Sequence, residues 1–130
     1  MKNAPQGTVL FAHGSRDPGW RAPIEAVARR MREMEPGALV ACAYLELTEP
    51  DLATCVAALL AEGAQAITVW PMFLGSGRHA REDLPRLVGE LRSRYPKIEF
   101  LLQPAIAEHR EVLDAMARAA LEAGLGSVEI

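Results

Sequence analysis

The stretch Thr8-Val9-Leu10-Phe11-Ala12-His13-Gly14-Ser15-Arg16 decides the fold. An apolar, β-rich run bounded by Gly7 and Gly14 reads as a buried strand over residues 8–13. It empties through a histidine into a polar, glycine-led turn. In a parallel α/β protein the carboxyl end of such a strand is the usual place for chemistry.

Working outward, short apolar runs alternate with longer amphipathic ones. Residues 19–35 carry Ile24, Val27, Ala28 and Met31 at helical spacing, and Pro36-Gly37 closes that helix. Residues 38–45 form a second strand. A second helix begins around Thr48-Glu49-Pro50-Asp51, with Thr48 as the expected cap and Pro50 in the first turn, and Gly63 stops it. Residues 65–71 form a third strand, whose ladder Pro71 ends because proline lacks the N–H donor. A glycine-rich loop leads to a third helix over about 80–95, terminated by Pro96. A fourth strand spans 98–102, and a fourth helix runs over about 108–123 until Gly124.

The order βαβαβαβα predicts an α/β fold, a parallel sheet with helices on both faces. The commonest doubly wound solution places strand one between strands two and three, giving the order 2-1-3-4. Four strands make a small sheet with limited room for a pocket inside one subunit. The 130 residues, 50% hydrophobic and 24% charged, fit a single domain over 1–130. The net charge of −3 supplies no positive field for nucleic acid or an anionic membrane. No stretch is apolar enough to span a bilayer and no signal sequence opens the chain. Cys42 and Cys55 form no CxxC pair, so a cytoplasmic protein with reduced thiols is expected.

The chain has three histidines. Two lie where strands empty into loops: His13 after strand one, and His79 after strand three and Gly75-Ser76-Gly77-Arg78. Glu46 leaves strand two. In a 2-1-3-4 sheet these strands are neighbours, so all three side chains come to the carboxyl edge. Two imidazoles and a carboxylate suit a first-row divalent metal. The same groups could accept protons, or merely cap strand-end carbonyls. His109, at the start of helix four, reads as a surface residue.

The loop at 75–77 is neither a P-loop nor a dinucleotide fingerprint, and Leu74 and Arg78 replace the outer glycines of a nucleophile elbow. Met72, Phe73 and Leu74 suit either the core or the wall of an apolar pocket. Arg16, Arg21, Arg78 and Arg81 cluster near the histidines and favour an anionic ligand. A nucleophilic histidine for phosphoryl transfer would need an arginine where Ala12 stands.

His13-Gly14-Ser15-Arg16, together with Pro71-Met72-Phe73-Leu74, Gly77, His79, Asp83 and Pro85, resembles the paired signatures of the short sirohydrochlorin chelatases, the CbiX-like family. Leu45-Glu46 before Pro50 fits the same pattern. The resemblance implies the chelatase-like three-layer sandwich, and a lyase that inserts Co²⁺ or Fe²⁺ into sirohydrochlorin without ATP, toward cobalamin or siroheme. It implies metal ligation by His13 and His79, with Glu46 as a further ligand. It also implies substrate contacts from Ser15, Arg16, Met72, Phe73, Leu74, Gly75, Ser76, Gly77 and Arg78. The metal is then a substrate and no prosthetic group is expected. A homodimer with a shared site is expected, because long relatives carry two such halves. Ni²⁺ is an alternative metal substrate, although nickel relatives often carry a histidine-rich stretch that this chain lacks. A non-catalytic metal or tetrapyrrole carrier would use the same residues.

Overall fold

The computed structural model describes residues 5–75 and 77–122, with the backbone but not the side chain of His79. Strands β1 (Gln6–Ala12), β2 (Leu39–Tyr44), β3 (Ala66–Pro71) and β4 (Glu99–Leu102) form one sheet of order β2-β1-β3-β4. All pairings are parallel, with Ala12 opposite Tyr44 and Phe11 opposite Pro71. The expected sheet order is therefore the observed one. Helices α1 (Ala22–Met34), α2 (Leu52–Ala61), α3 (Arg78–Arg94) and α4 (Arg110–Glu122) alternate with the strands.

The two-residue period of the strands divides the core. Val9, Phe11, Ala43, Ile67, Val69 and Phe100 point to one face and pack with Val56 and Leu59 of α2 and Leu84, Val88 and Leu91 of α3. Leu10 and Val40 point to the other, under Ala28, Ile24 and Met31 of α1. Helix α4 differs from the other three. It is amphipathic yet buries no residue, and Leu113, Met116 and Leu121 stand exposed.

Both sheet edges are blunted in the same way. Arg32 donates to the Val40 carbonyl of β2 at 2.9 Å, and Arg92 to the Phe100 carbonyl of β4 at 2.9 Å. Each arginine occupies an edge acceptor that another strand could use.

One helix start differs from expectation. Asp51, not Thr48, caps α2, its carboxylate accepting from the Thr54 amide at 2.9 Å. Pro50 precedes the cap, and its carbonyl accepts from the Tyr44 amide. Thr48 is engaged elsewhere: its hydroxyl donates to the Ser15 carbonyl at 2.8 Å and accepts from the Ser15 amide at 3.0 Å. The first helix is likewise split, with a 3-10 turn at Pro18–Arg21 ahead of α1.

Both cysteines are free thiols. Burial pushes the Cys55 thiol up to about 12 and the Tyr44 hydroxyl up to about 12. The unfolded chain ionises these groups first, from about 9.0 and 10.0 respectively. Stability is therefore fully present below pH 9 and is lost as pH climbs toward 12. Melting temperature measured against pH should fall over that window, and Cys55→Ala should flatten its lower part. An unchanged slope in Cys55→Ala would contradict the assignment.

Candidate functional site at the carboxyl edge

The carboxyl ends of β1, β2 and β3 are tied together by backbone. The Leu45 amide donates to the Ala12 carbonyl at 2.9 Å and the Glu46 amide to the His13 carbonyl at 3.0 Å. On the other side of β1, the Met72 amide donates to the Phe11 carbonyl at 2.7 Å. His13 and Glu46 are thus backbone neighbours, as the sheet order requires. Gly14 makes this approach possible. Its φ is +99°, and a Cβ placed there would overlap the Glu46 carbonyl oxygen. Leu47 also has a positive φ, 65°, which turns the chain sharply after Glu46.

His13 is exposed and Phe73 is only 5% exposed. Their rings stack with centroids 4.5 Å apart and planes 23° from parallel. Phe73 in turn meets Phe11 edge-on at 6.4 Å. The cause is register. Two steps beyond the Phe11–Pro71 pair, His13 and Phe73 are cross-strand neighbours on one face. That face is the one covered by α2 and α3, and His79 sits in the first turn of α3. The backbone therefore brings the starts of both histidine segments to the same side of the same edge.

Among the described residues, no three His, Cys, Asp or Glu side chains converge on one point. The His79 side chain lies outside that set, as does Ser76 of the expected substrate loop. Glu46 is exposed. Ser15 is held through its backbone by Thr48, and its hydroxyl accepts from the Asp17 amide at 3.0 Å. Arg16 is exposed, Arg78 pairs with Glu82 at 3.3 Å on the helix surface, and Arg21 pairs with Glu25 at 3.4 Å. Gly75 and Gly77 are exposed, and Gly77 caps α3 with extended backbone and no side chain.

The apolar stretch Met72-Phe73-Leu74 divides three ways. Met72 packs under α1, Phe73 joins the main core, and Leu74 is 79% exposed. Two further apolar groups share the edge with Leu74. Leu47 is exposed beside Glu46, and Trp20 lies edge-on to Tyr44 at 6.2 Å. Sequence reading passed over both. An apolar residue inside a loop, Leu47 between Glu46 and Thr48, was the available signal. A cavity of about 280 Å³ opens nearby between the ends of β3 and β4, lined by Pro71, Phe73, Ala80, Leu84, Leu102 and Ala105. His109 lies away from His13, edge-on to Trp70 at 6.1 Å, and its Nδ1 accepts from the Glu111 amide.

The edge sets histidine and carboxylate on joined strand ends of a parallel α/β sheet, with exposed apolar groups around them. The chain belongs to the CbiX family, whose model matches residues 7–123. It is 27% identical over 110 residues to the chloroplastic sirohydrochlorin ferrochelatase of Arabidopsis thaliana, covering 85% of this chain and 49% of that one. Its structure resembles a CbiX protein of Marinobacter aquaeolei VT8, with a TM-score of 0.78, 32% identity, and 91% and 96% of the two chains covered. It also resembles the sirohydrochlorin chelatase SirB of Bacillus subtilis subspecies spizizenii in complex with cobalt. There the TM-score is 0.69 at 30% identity, with 90% of this chain and 50% of that chain covered. The chain thus spans about half the length of the curated ferrochelatase and of SirB, and nearly the full length of the Marinobacter protein.

Gly14→Ala should be severe because left-handed backbone and a backbone clash coincide. A loss of about 2–4 kcal/mol is expected, read as a fall of melting temperature on the order of 10 °C. A variant as stable as wild type would show that the Glu46 turn is not held against Gly14 in solution.

Proposed function

We propose that this chain inserts Co²⁺ or Fe²⁺ into sirohydrochlorin without ATP. The observation that carries the reading is His13 itself. It is an exposed imidazole fixed at the carboxyl edge beside Glu46, in a chain matched by the CbiX model from residue 7 to 123. The relatives support the substrate and the metals: one is a sirohydrochlorin ferrochelatase, another a sirohydrochlorin chelatase holding cobalt.

The chemistry asks for few groups. As the divalent metal enters, the macrocycle's two pyrrole N–H bonds break and the two protons must be accepted. Imidazole can hold a metal or accept a proton, but not both on one nitrogen. In this reading both His13 and His79 reach the entering metal, one mainly delivering it and the other mainly taking protons, and Glu46 assists as ligand or acceptor. Leu47, Leu74 and Trp20 offer apolar contact to the ring. Arg16 and the arginines of the α3 start would meet the carboxylates around it, with further contacts from Ser15, Gly75, Ser76, Gly77 and Arg78. No resident cofactor is needed, because the metal is consumed as substrate. The free thiols agree with a cytoplasmic site of action. Among the described residues no helix is long and apolar enough to cross a membrane.

The chain is further proposed to act as a homodimer. The unpartnered apolar stripe of α4 and the half-exposed Leu101 on β4 support this, since a second copy would cover them. The match to half of a longer chelatase supports it too. Light scattering should give twice the chain mass, and Met116→Asp with Leu113→Asp should give the monomer. A wild-type monomer would remove the dimer from the account.

Mixing protein, sirohydrochlorin and Co²⁺ should accelerate the visible spectral change of insertion over the spontaneous rate. His13→Ala and His79→Ala should each slow it by about 100-fold or more while the fold is kept. No acceleration by wild type, or spectral binding without turnover, would overturn the chelatase reading.

A further inference from the structure

We infer that Phe73 is a positioning residue for His13: its ring, locked in the core, fixes the plane of the imidazole while leaving both ring nitrogens free. The inference rests on the proposal that His13 acts in metal insertion, and it deepens that reading.

A histidine that ligates metal ordinarily donates its second ring N–H to a carboxylate or carbonyl, which sets the ring's orientation. Among the described residues no group hydrogen-bonds to the His13 imidazole. His109 makes the contrast within the same chain, since its Nδ1 is engaged by the Glu111 amide. An exposed side chain without such a partner would sample several rotamers. The described contact that restrains His13 is the stack on Phe73, 4.5 Å and 23°.

Phe73 is suited to restrain it. The Met72 amide before it is bound to Phe11, and its own carbonyl accepts from the Ala107 amide at 3.3 Å. Its ring is 5% exposed and rests edge-on against Phe11, itself 1% exposed. The ring therefore has little freedom to pass on. Offset aromatic stacking is strong enough to favour one imidazole orientation roughly three- to tenfold without occupying a nitrogen. One nitrogen can then meet the metal while the other accepts or relays a proton through solvent. A carboxylate hydrogen-bonded to the ring would foreclose that option by holding the second N–H.

Phe73 also borders the apolar cavity between β3 and β4. Its alternative role is a wall that binds the macrocycle directly. The two roles separate in kinetics. A wall contributes to substrate affinity, whereas a positioning group contributes to the step in which His13 takes part.

The test compares Phe73→Leu, Phe73→Tyr and His13→Ala with wild type, using Co²⁺ and sirohydrochlorin and proton NMR of the imidazole resonances. The His13→Ala spectrum identifies the His13 signals. In wild type these should be shifted upfield by the Phe73 ring current, and Phe73→Leu should return them toward the position of a free histidine. Phe73→Leu should lower kcat by about three- to tenfold with KM for sirohydrochlorin within about twofold, and Phe73→Tyr should restore both the shift and most of kcat. Unmoved His13 signals in Phe73→Leu, or a raised KM with unchanged kcat, would overturn the inference. Wild-type insertion by His13→Ala would instead sink the role of His13 itself. An inactive His13→Ala beside a fully active Phe73→Leu sinks the positioning role alone.

Discussion

The hydrogen bond from the Glu46 amide to the His13 carbonyl, 3.0 Å long, is the constraint on which the site depends. It continues the β1–β2 ladder past the last paired residues, Ala12 and Tyr44, into what would otherwise be two separate loops. The approach is so close that no side chain fits at residue 14, and the backbone there must take a φ of +99°. Glycine is the residue that adopts this conformation without penalty. Everything else at the edge is arranged from this fixed point. Thr48 returns to bind both backbone groups of Ser15, and Leu47 turns outward beside Glu46.

The sheet supplies the second dimension. Because β1 lies between β2 and β3, His13 has Glu46 on one side and Phe73 on the other. A parallel ladder presents all its strand ends at one edge, so residues far apart in sequence become neighbours there. The hydrophobic core supports this edge from below. Phe11 lies under Phe73, and Phe73 lies under His13, so the imidazole rests on the end of a packed aromatic column. Burial of that column is part of the folding energy, and its upper ring is also a surface of the site.

Much of this was legible in the sequence. Alternating apolar runs and helical periodicities indicated four strands and four helices, and the commonest doubly wound arrangement supplied their order. The same order placed His13 and Glu46 on adjacent strand ends, where their backbones meet. Other features were not legible, for physical reasons. Thr48 has the chemistry of a helix cap, but a long-range partner, Ser15, competes for its hydroxyl, and Asp51 caps instead. Met72-Phe73-Leu74 reads as one apolar stretch, yet the strand period sends Met72 to the α1 face, Phe73 to the other and Leu74 into solvent. Helix α4 has the amphipathic pattern of a packed helix, but periodicity does not say against what a face packs. Here, among the described residues, none of its side chains is buried.

The central claim is that His13 and His79, drawn to one side of one sheet edge, receive the same metal ion. Titrating the metal-free protein with Co²⁺ and following the imidazole protons of its three histidines by paramagnetic NMR tests this most directly. The account predicts large hyperfine shifts on both His13 and His79, with His109, engaged at the start of α4, affected far less. Shifts confined to His109, or to only one of the two edge histidines at saturating cobalt, would contradict it.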